Sequence, residues 1–176
     1  MEARMDVMEM LLLACVFAAV VILPFIHALT PWLDSADYSL PSWAVPIGAV
    51  VAGASLWLFH RAHSGLGDNW SPTLEVRKEQ RLITGGVYRR VRHPMYASQT
   101  LWGISQVTLL QNWVAGLAGM GISLLLYLVR IPREERMMLE RFGEEYRSYM
   151  RRTGRLLPQG RSGSLPYSRS GRSEAP

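Results

Sequence analysis

The sequence predicts an all-α polytopic membrane protein with about four transmembrane helices, and three observations lead to this prediction. Of its 176 residues, 49% are hydrophobic. The segment from Met10 to Leu29 contains no Asp, Glu, Lys or Arg, and at ~1.5 Å rise per residue it spans the ~30 Å hydrocarbon core of a bilayer. Nearly all Arg residues lie between residues 61 and 92 or after residue 129. Such alternation of basic and non-basic loops is typical of membrane-spanning chains.

The first two spans follow from hydropathy and from residues at their ends. Met10 to Leu29 is predicted as the first transmembrane helix, although it contains Pro24 and His27. A second helix is predicted from Trp43, a residue type favoured at membrane interfaces, to about Phe59 or His60, where the polar stretch "HRAHSG" begins. Residues 1–63 are therefore assigned to the first two transmembrane helices.

The remaining apolar zone, Leu101 to Val129, is too long for one span and is interrupted at "LLQNW". We interpret it as two helices in a tight hairpin. The first is expected to begin near Pro94 and the second to end near Arg130. The turn between them is expected at Gln111 and Asn112, which are uncharged.

An amphipathic helix is predicted after the hairpin. Pro132 lacks a backbone N–H and is expected to bend the chain as it leaves the bilayer. Beyond it, five apolar or aromatic residues recur at helical spacing and form a stripe that can lie against the membrane or the protein; they are Met138, Leu139, Phe142, Tyr146 and Tyr149. Residues 158–176 are rich in Ser, Gly, Pro and Arg and are expected to be disordered.

Charge predicts the orientation of the chain. Four spans place both termini on one side, and the loop from Thr30 to Ser42 has two Asp but no Lys or Arg. The positive-inside rule therefore predicts that both termini and the central loop are cytoplasmic. The net charge of +5 favours contact with anionic membrane lipids, and nucleic acid is not an expected partner because the basic segments lack interleaved base-stacking aromatics.

Metal and disulfide sites are not expected. Cys15 is the only cysteine and falls inside a predicted helix. His60 and His63 are three residues apart, but two histidines without a supporting cysteine or acid make a weak metal site.

The stretch "VYRRVRHPMY", Val87 to Tyr96, directly precedes the hairpin. The following proline keeps His93 out of the helical region, while Pro94 suits the first turn of a helix. His93 is therefore expected at a helix N-terminus, where free N–H groups can also bind an anion. A non-catalytic alternative is that the neighbouring arginines, Arg89, Arg90 and Arg92, anchor the chain at the membrane and the tyrosines form an interfacial belt.

Arg130 and Glu134, four residues apart, share one helical face at the other end of the hairpin. Because the hairpin turns back, its two ends lie at the same level. His93, Tyr96, Arg130 and Glu134 are therefore expected to surround one site. The alternative for Glu134 and Glu135 is a solvated first helical turn.

The ordered set "RLITGGVYRRVRHPMY", an apolar hairpin broken at "QN", and "RIPREERMMLERFGEEYRSYMRRTGRLLP" resembles the isoprenylcysteine carboxyl methyltransferase family. The resemblance covers about Asp68 to Pro158. It implies an integral-membrane enzyme that transfers the methyl group of S-adenosylmethionine to a lipidic or amphiphilic acceptor, with an isoprenylcysteine-like carboxylate as the first candidate. Residues 64–157 would then form the catalytic part.

The resemblance also implies roles for individual residues. Glu134 would meet the cofactor, with Glu135 as a fallback, and Arg130 would hold the substrate carboxylate; these two are the candidate catalytic residues. The further candidate cofactor-binding residues are Gln80, Arg81, Leu82, Ile83, Tyr88, His93, Pro94, Met95 and Tyr96. Gln80 departs from the family pattern, which often has His there, and this departure weakens its assignment.

Two other functions remain compatible with the sequence. Nicotinamide-dependent reductases of the sterol-reductase type have a similar R-H-P-x-Y and E-E arrangement, but they need more spans than this chain predicts. A non-enzymatic basic membrane protein that binds anionic lipid is the second alternative.

Overall fold

The computed structural model describes residues 7–67 and 81–159. Within these ranges the chain forms five α-helices: α1 (Val7–Phe17), α2 (Leu23–Leu29), α3 (Ala44–Leu66), α4 (Pro94–Leu110) and α5 (Trp113–Arg152). The residues Ala18–Ile22 form a π-helical turn that joins α1 to α2. Two 3₁₀ helices, Pro31–Ala36 and Gly86–Arg89, lie in the connections. The predicted all-α membrane architecture is confirmed.

Among the described residues, three segments are long and apolar enough to cross a membrane: Met10–Leu29, Ala44–Leu66 and the helix Trp113–Arg152. The predicted span that begins near Pro94, the third in chain order, corresponds to α4, which has 17 residues and is about 25 Å long at the standard rise. It packs along both α3 and α5, and α1 packs on α5. Lipid-facing positions on α1 and α3 are apolar and exposed, as in Leu11, Val50 and Trp57. The chain is an integral membrane protein.

The α4–α5 hairpin confirms the predicted break. Gln111 adopts left-handed angles (φ 50°, ψ 39°) and ends α4. Asn112 caps α5: its side-chain oxygen accepts hydrogen bonds from the N–H groups of Val114 (3.0 Å) and Ala115 (2.9 Å). The two helices approach closely at Gly116, where an added Cβ would lie 3.2 Å from the Cα of Val107. Small residues at such contacts are typical of packed membrane helices.

Two predicted helix ends are wrong. The second span does not stop at Phe59 or His60 but continues to Leu66, because polar residues can leave the hydrocarbon without ending the helix. It ends where Gly67 takes a positive φ of 50°.

The last helix does not end near Arg130 and runs on to Arg152 with Pro132 inside it. Among its residues the backbone leaves helical angles at Gly143 (φ 51°, ψ −122°) rather than at the proline. A positive φ is accessible to glycine at no steric cost. The predicted amphipathic helix is therefore the last part of α5, and α5 is kinked at Gly143.

The predicted apolar stripe docks partly on the protein itself. Tyr146 and Tyr149 are buried, with 2% and 3% exposure, and the Tyr149 hydroxyl donates to the backbone oxygen of Tyr88 (2.6 Å). Met138, Leu139 and Phe142 are half-buried. The predicted disordered tail, residues 158–176, lies outside the described residues except for Pro158 and Gln159.

Candidate active site

The chain before α4, residues 81–93, which we call the connector, is tied to α3 and to the end of α5. Gly86 has a positive φ of 59° and is the first residue of the 3₁₀ turn Gly86–Arg89. The buried ring of Tyr88 places its hydroxyl 3.2 Å from the backbone oxygen of Ala62 in α3. Because Tyr149 of α5 also bonds to the Tyr88 carbonyl, the connector is fixed between α3 and the end of α5. Burial raises the pKa of Tyr88 above its ordinary value, so this phenol stays neutral.

His93 takes the position that the sequence predicts. It is the residue before α4, with φ −119° and ψ 64°, and Pro94 is the first helical residue. The His93 carbonyl accepts the first helical hydrogen bond, from the N–H of Ala97 (3.0 Å). The imidazole therefore projects from a fixed point at one end of the hairpin.

Three of the predicted side chains meet around the carboxylate of the fourth, Glu134. His93 Nδ1 lies 3.4 Å from Glu134 Oε2, Arg130 Nε lies 3.5 Å from Glu134 Oε1, and the Tyr96 hydroxyl donates to the same oxygen. The predicted convergence of His93, Tyr96, Arg130 and Glu134 is present in the structure. The Glu134 side chain is 23% exposed, so a polar ligand can reach it.

Aromatic rings form one side of this cluster. The rings of Tyr96 and Tyr127 are 4.6 Å apart, and those of His93 and Tyr96 are 5.7 Å apart and nearly parallel at 24°. The Tyr127 hydroxyl donates to the side-chain oxygen of Gln99 (2.5 Å). Electron-rich ring faces beside a carboxylate favour a cationic ligand.

The two neighbouring glutamates have different surroundings. Glu135 has a side chain that is 6% exposed and contacts two guanidinium groups and His93. Arg155 Nη2 lies 2.6 Å from Glu135 Oε2, and Arg92 Nη2 lies 3.2 Å from Glu135 Oε1. Glu135 is therefore fully engaged within the protein, whereas Glu134 keeps exposed surface.

These acids control the charge of His93. Burial alone would lower the pKa of His93, but hydrogen bonds to Glu134 and Glu135 outweigh it, and the pKa of His93 is raised above its ordinary value. Because an ionised carboxylate only accepts hydrogen bonds, contact of both ring nitrogens with acids favours the imidazolium form.

The remaining predicted cofactor residues are placed as follows. Pro94 is buried and Met95 is half-buried in the first turn of α4, next to His93. Arg81, Leu82 and Ile83 lie in irregular chain before the Gly86 turn, with Arg81 exposed and the other two half-buried. Gln80 lies outside the described residues. The cofactor roles of all these residues, and of Tyr88, stay predictions.

Sequence reasoning missed three contributors to this region. Arg92, considered as a membrane anchor, instead has a 9% exposed side chain directed at Glu135 and donates to the backbone oxygens of Met150 (2.9 Å) and Thr153. Arg155 and Tyr127 were not singled out. A signal for Tyr127 was available, since it lies three residues before Arg130 on the same helix, but Arg155 comes from a segment with no regular pattern.

The sequence is similar to a family of known proteins. A model of the Isoprenylcysteine carboxyl methyltransferase (ICMT) family matches residues 47–140. Protein-S-isoprenylcysteine O-methyltransferase B of Arabidopsis thaliana is 29% identical over 94 residues, covering 52% of this chain and 48% of that protein. The Homo sapiens protein-S-isoprenylcysteine O-methyltransferase is 26% identical over 142 residues, covering 76% of this chain and 50% of that protein. The chain spans about half the length of these curated relatives.

A solved structure shares the fold. The eukaryotic intramembrane Ras methyltransferase ICMT (isoprenylcysteine carboxyl methyltransferase) superposes with a TM-score of 0.61 at 24% sequence identity. The match covers 89% of this chain and 54% of that one. The described helices therefore correspond to a known polytopic membrane fold.

Proposed function

Because the chain belongs to the isoprenylcysteine carboxyl methyltransferase family, we propose that it is an integral-membrane enzyme that methylates the carboxylate of a lipidic or amphiphilic acceptor, with S-adenosylmethionine as methyl donor. Relatives that carry the name protein-S-isoprenylcysteine O-methyltransferase make an isoprenylcysteine-like carboxylate the first candidate acceptor. The observation that carries the proposal is the convergence of His93, Tyr96 and Arg130 on the partly exposed Glu134.

The residues present fit the donor chemically. Its bound form would supply an electrophilic methyl group on a sulfonium centre. The Glu134 carboxylate suits an ammonium group, and the faces of Tyr96 and Tyr127 suit a sulfonium, with cation–π attraction of ~1–2 kcal/mol where water is excluded. The first turn of α4 offers backbone N–H groups to a carboxylate. The predicted cofactor contacts of residues 80–83, Tyr88, Pro94 and Met95 belong to the same proposal.

Arg130 is assigned to the acceptor. Its guanidinium lies beside Glu134, with 11% of the side chain exposed, and a guanidinium can hold a carboxylate through two parallel hydrogen bonds. A carboxylate nucleophile has no proton to lose, so the protein needs to align the acceptor and exclude water rather than to supply a base. Arg130→Gln is expected to leave donor binding unchanged and to raise the KM for the acceptor about tenfold.

We further propose that this site lies on the cytoplasmic side, with both termini. The loop Thr30–Ser42 at the opposite end of the molecule has no Lys or Arg, whereas the site end carries Arg89, Arg90, Arg151 and Arg152, all exposed. A site at this level is open to an acceptor whose apolar part stays in the bilayer. Cysteine labelling of single-cysteine variants in sealed vesicles tests the orientation.

Ligand-dependent stability separates the enzyme classes. S-adenosylhomocysteine, added to the detergent-solubilised full chain at about a hundred times a micromolar dissociation constant, is expected to stabilise it by ~2–3 kcal/mol. NADPH is the comparison ligand, because a sterol-reductase-like enzyme would respond to it instead. Stabilisation by NADPH alone, or by neither ligand, would overturn the methyltransferase proposal.

The acceptor is identified by transfer of label. The full chain is incubated with methyl-labelled S-adenosylmethionine and either a membrane lipid extract or a farnesylcysteine derivative, and products are analysed by mass spectrometry. Label in a base-labile methyl ester supports a carboxylate acceptor. Label on an amine, a thiol or a hydroxyl would keep the methyltransferase but contradict the assigned acceptor.

A further inference from the structure

The segment that follows α5 returns to the connector and holds the backbone at His93. The N–H of Arg92 donates to the oxygen of Gly154 (2.8 Å), and the N–H of His93 donates to the oxygen of Arg155 (3.0 Å). Val91 and Gly154 form an isolated parallel β-bridge, and Thr153 is 1% exposed. The residue directly before α4 is thus fixed by backbone contacts with the segment that follows α5.

The same segment supplies a guanidinium to Glu135. Arg155 contacts both carboxylate oxygens, with Nε 3.2 Å from Oε1 and Nη2 2.6 Å from Oε2. Arg92 contacts Oε1 from Nε and Nη2, at 3.2 Å in each case. We call Arg92, Glu135 and Arg155 the Glu135 clamp. A two-point contact of this kind fixes the plane of the carboxylate as well as its position.

The clamp determines how the imidazole is presented. Glu135 Oε1 lies 3.3 Å from His93 Nε2, and this leaves Nδ1 directed at Glu134 Oε2 at 3.4 Å. Because Nδ1 and Nε2 belong to one rigid ring, a rotation of the ring moves both nitrogens relative to their acids. The nitrogen that faces Glu134 is thus selected by a carboxylate on the far side of the ring, and that carboxylate is oriented by Arg155.

We propose that Arg155 and Glu135 are positioning residues, through which the segment after α5 fixes the orientation of His93 in the donor-binding site. Neither is assigned to the donor or the acceptor. This inference rests on the proposed function, because it is read out through donor binding. It assigns a role to Arg155, which lies beyond α5 and which the sequence pattern did not single out.

A purely electrostatic role predicts a different outcome. The charged groups that face His93 or its partners are Glu134, Glu135, Arg92, Arg130 and Arg155, and the Tyr96 ring lies beside it. Loss of Arg155 removes a positive charge and favours protonated His93, whereas loss of the Glu135 charge disfavours it. If charge alone mattered, the two substitutions would act on donor binding in opposite directions. Positioning predicts that both weaken it.

The experiment uses the full chain in detergent and measures S-adenosylhomocysteine binding by calorimetry, with His93 titrated by NMR of labelled histidine. The variants are Arg155→Ala and Glu135→Gln. The matched control is Arg147→Ala, which removes an arginine of α5 whose ion pair with Glu144 (2.7 Å) is largely exposed. Both clamp variants are expected to bind about tenfold more weakly, and the control is expected to bind like the wild type.

The His93 titration supplies a readout that a merely structural role would not move. Its pKa is expected to fall in Glu135→Gln and to stay at or above the wild-type value in Arg155→Ala, although both bind more weakly. Wild-type affinity in Arg155→Ala would overturn the inference, and this variant decides alone if Glu135→Gln does not fold. If the wild type itself fails to bind, the proposed function is wrong, and an unchanged His93 titration in Glu135→Gln would then separately overturn the clamp.

Discussion

Both ends of the α4–α5 hairpin contain buried polar groups but use them differently. At the turn, Asn112 is completely buried, caps α5, and donates to the Leu33 oxygen (2.7 Å) and to Asp37 (2.6 Å). Gln111 likewise accepts from the N–H of Leu40 (2.8 Å). Each of these contacts joins two uncharged groups, except the one between the Asn112 amide and the Asp37 carboxylate. Together they hold the loop Thr30–Ser42 against the hairpin turn.

At the opposite end, most of the interacting polar groups are charged. Glu135 is enclosed by Arg92, His93 and Arg155, which parallels the fully engaged Asn112. Glu134, one residue earlier, remains partly exposed and faces an aromatic ring. Polar groups whose partners all lie within the protein therefore maintain the hairpin, whereas the partly exposed Glu134 is the acid available to a ligand.

The largest expected effect comes from the turn. Asn112→Ala removes an N-cap and two buried side-chain hydrogen bonds, and is expected to lower the free energy of unfolding by about 2–4 kcal/mol. Denaturation in detergent, followed by circular dichroism, measures this loss. Asn112→Ser is the comparison variant, because serine keeps an N-cap acceptor but lacks the amide donors that reach Leu33 and Asp37. S-adenosylhomocysteine affinity should not change while the protein is folded, and a large loss of affinity would break the division between the two ends.

Glu134→Gln tests the ligand end with the next largest effect. The substitution keeps the size of the side chain but removes the charge, so S-adenosylhomocysteine is expected to bind about ten- to a hundredfold more weakly. Because the side chain is partly exposed, the melting temperature should change little. Calorimetry and thermal denaturation on the same samples measure both. A large fall in melting temperature with unchanged affinity would reverse the roles assigned to the two ends.

The smallest expected effect is a pH dependence located at the ligand end. Since the pKa of His93 is raised in the folded protein, its protonated form adds stability that is fully present below the ordinary value of about 6.5 and is lost as pH rises through the raised value. The melting temperature is expected to fall by roughly a few degrees over that interval. His93→Asn should abolish this part of the dependence. An identical pH profile in the variant would show that His93 is not held between two acids.

Much of this organisation could be predicted from sequence, and the successes have local causes. Gln111 and Asn112 interrupt an apolar run, so the hairpin turn is readable, and Pro94 marks the first turn of α4. Arg130 and Glu134 share a face by their spacing, and a hairpin necessarily returns them to the level of His93. These three inferences together were enough to predict that His93, Arg130 and Glu134 lie close together.

The rest depends on contacts between distant parts of the chain. Spacing alone could not distinguish Glu134 from Glu135, since that distinction requires Arg92 and Arg155 to reach one acid and not the other. The segment of Arg155 has no periodicity that predicts where it docks. The helix that continues through Pro132 was missed because the cost of a proline depends on whether the freed carbonyl finds another partner. The end of α3 was missed because a change in polarity marks a membrane boundary and not a helix terminus.

The central claim is that His93, which directly precedes α4, and Glu134, which lies in α5, act as one ligand-binding unit. A double-mutant cycle on S-adenosylhomocysteine affinity, with His93→Asn, Glu134→Gln and the double variant of the full chain, tests it most directly. The account predicts that the double variant loses no more affinity than the weaker-binding single variant. Losses that simply add, in proteins with unchanged melting temperatures, would contradict it.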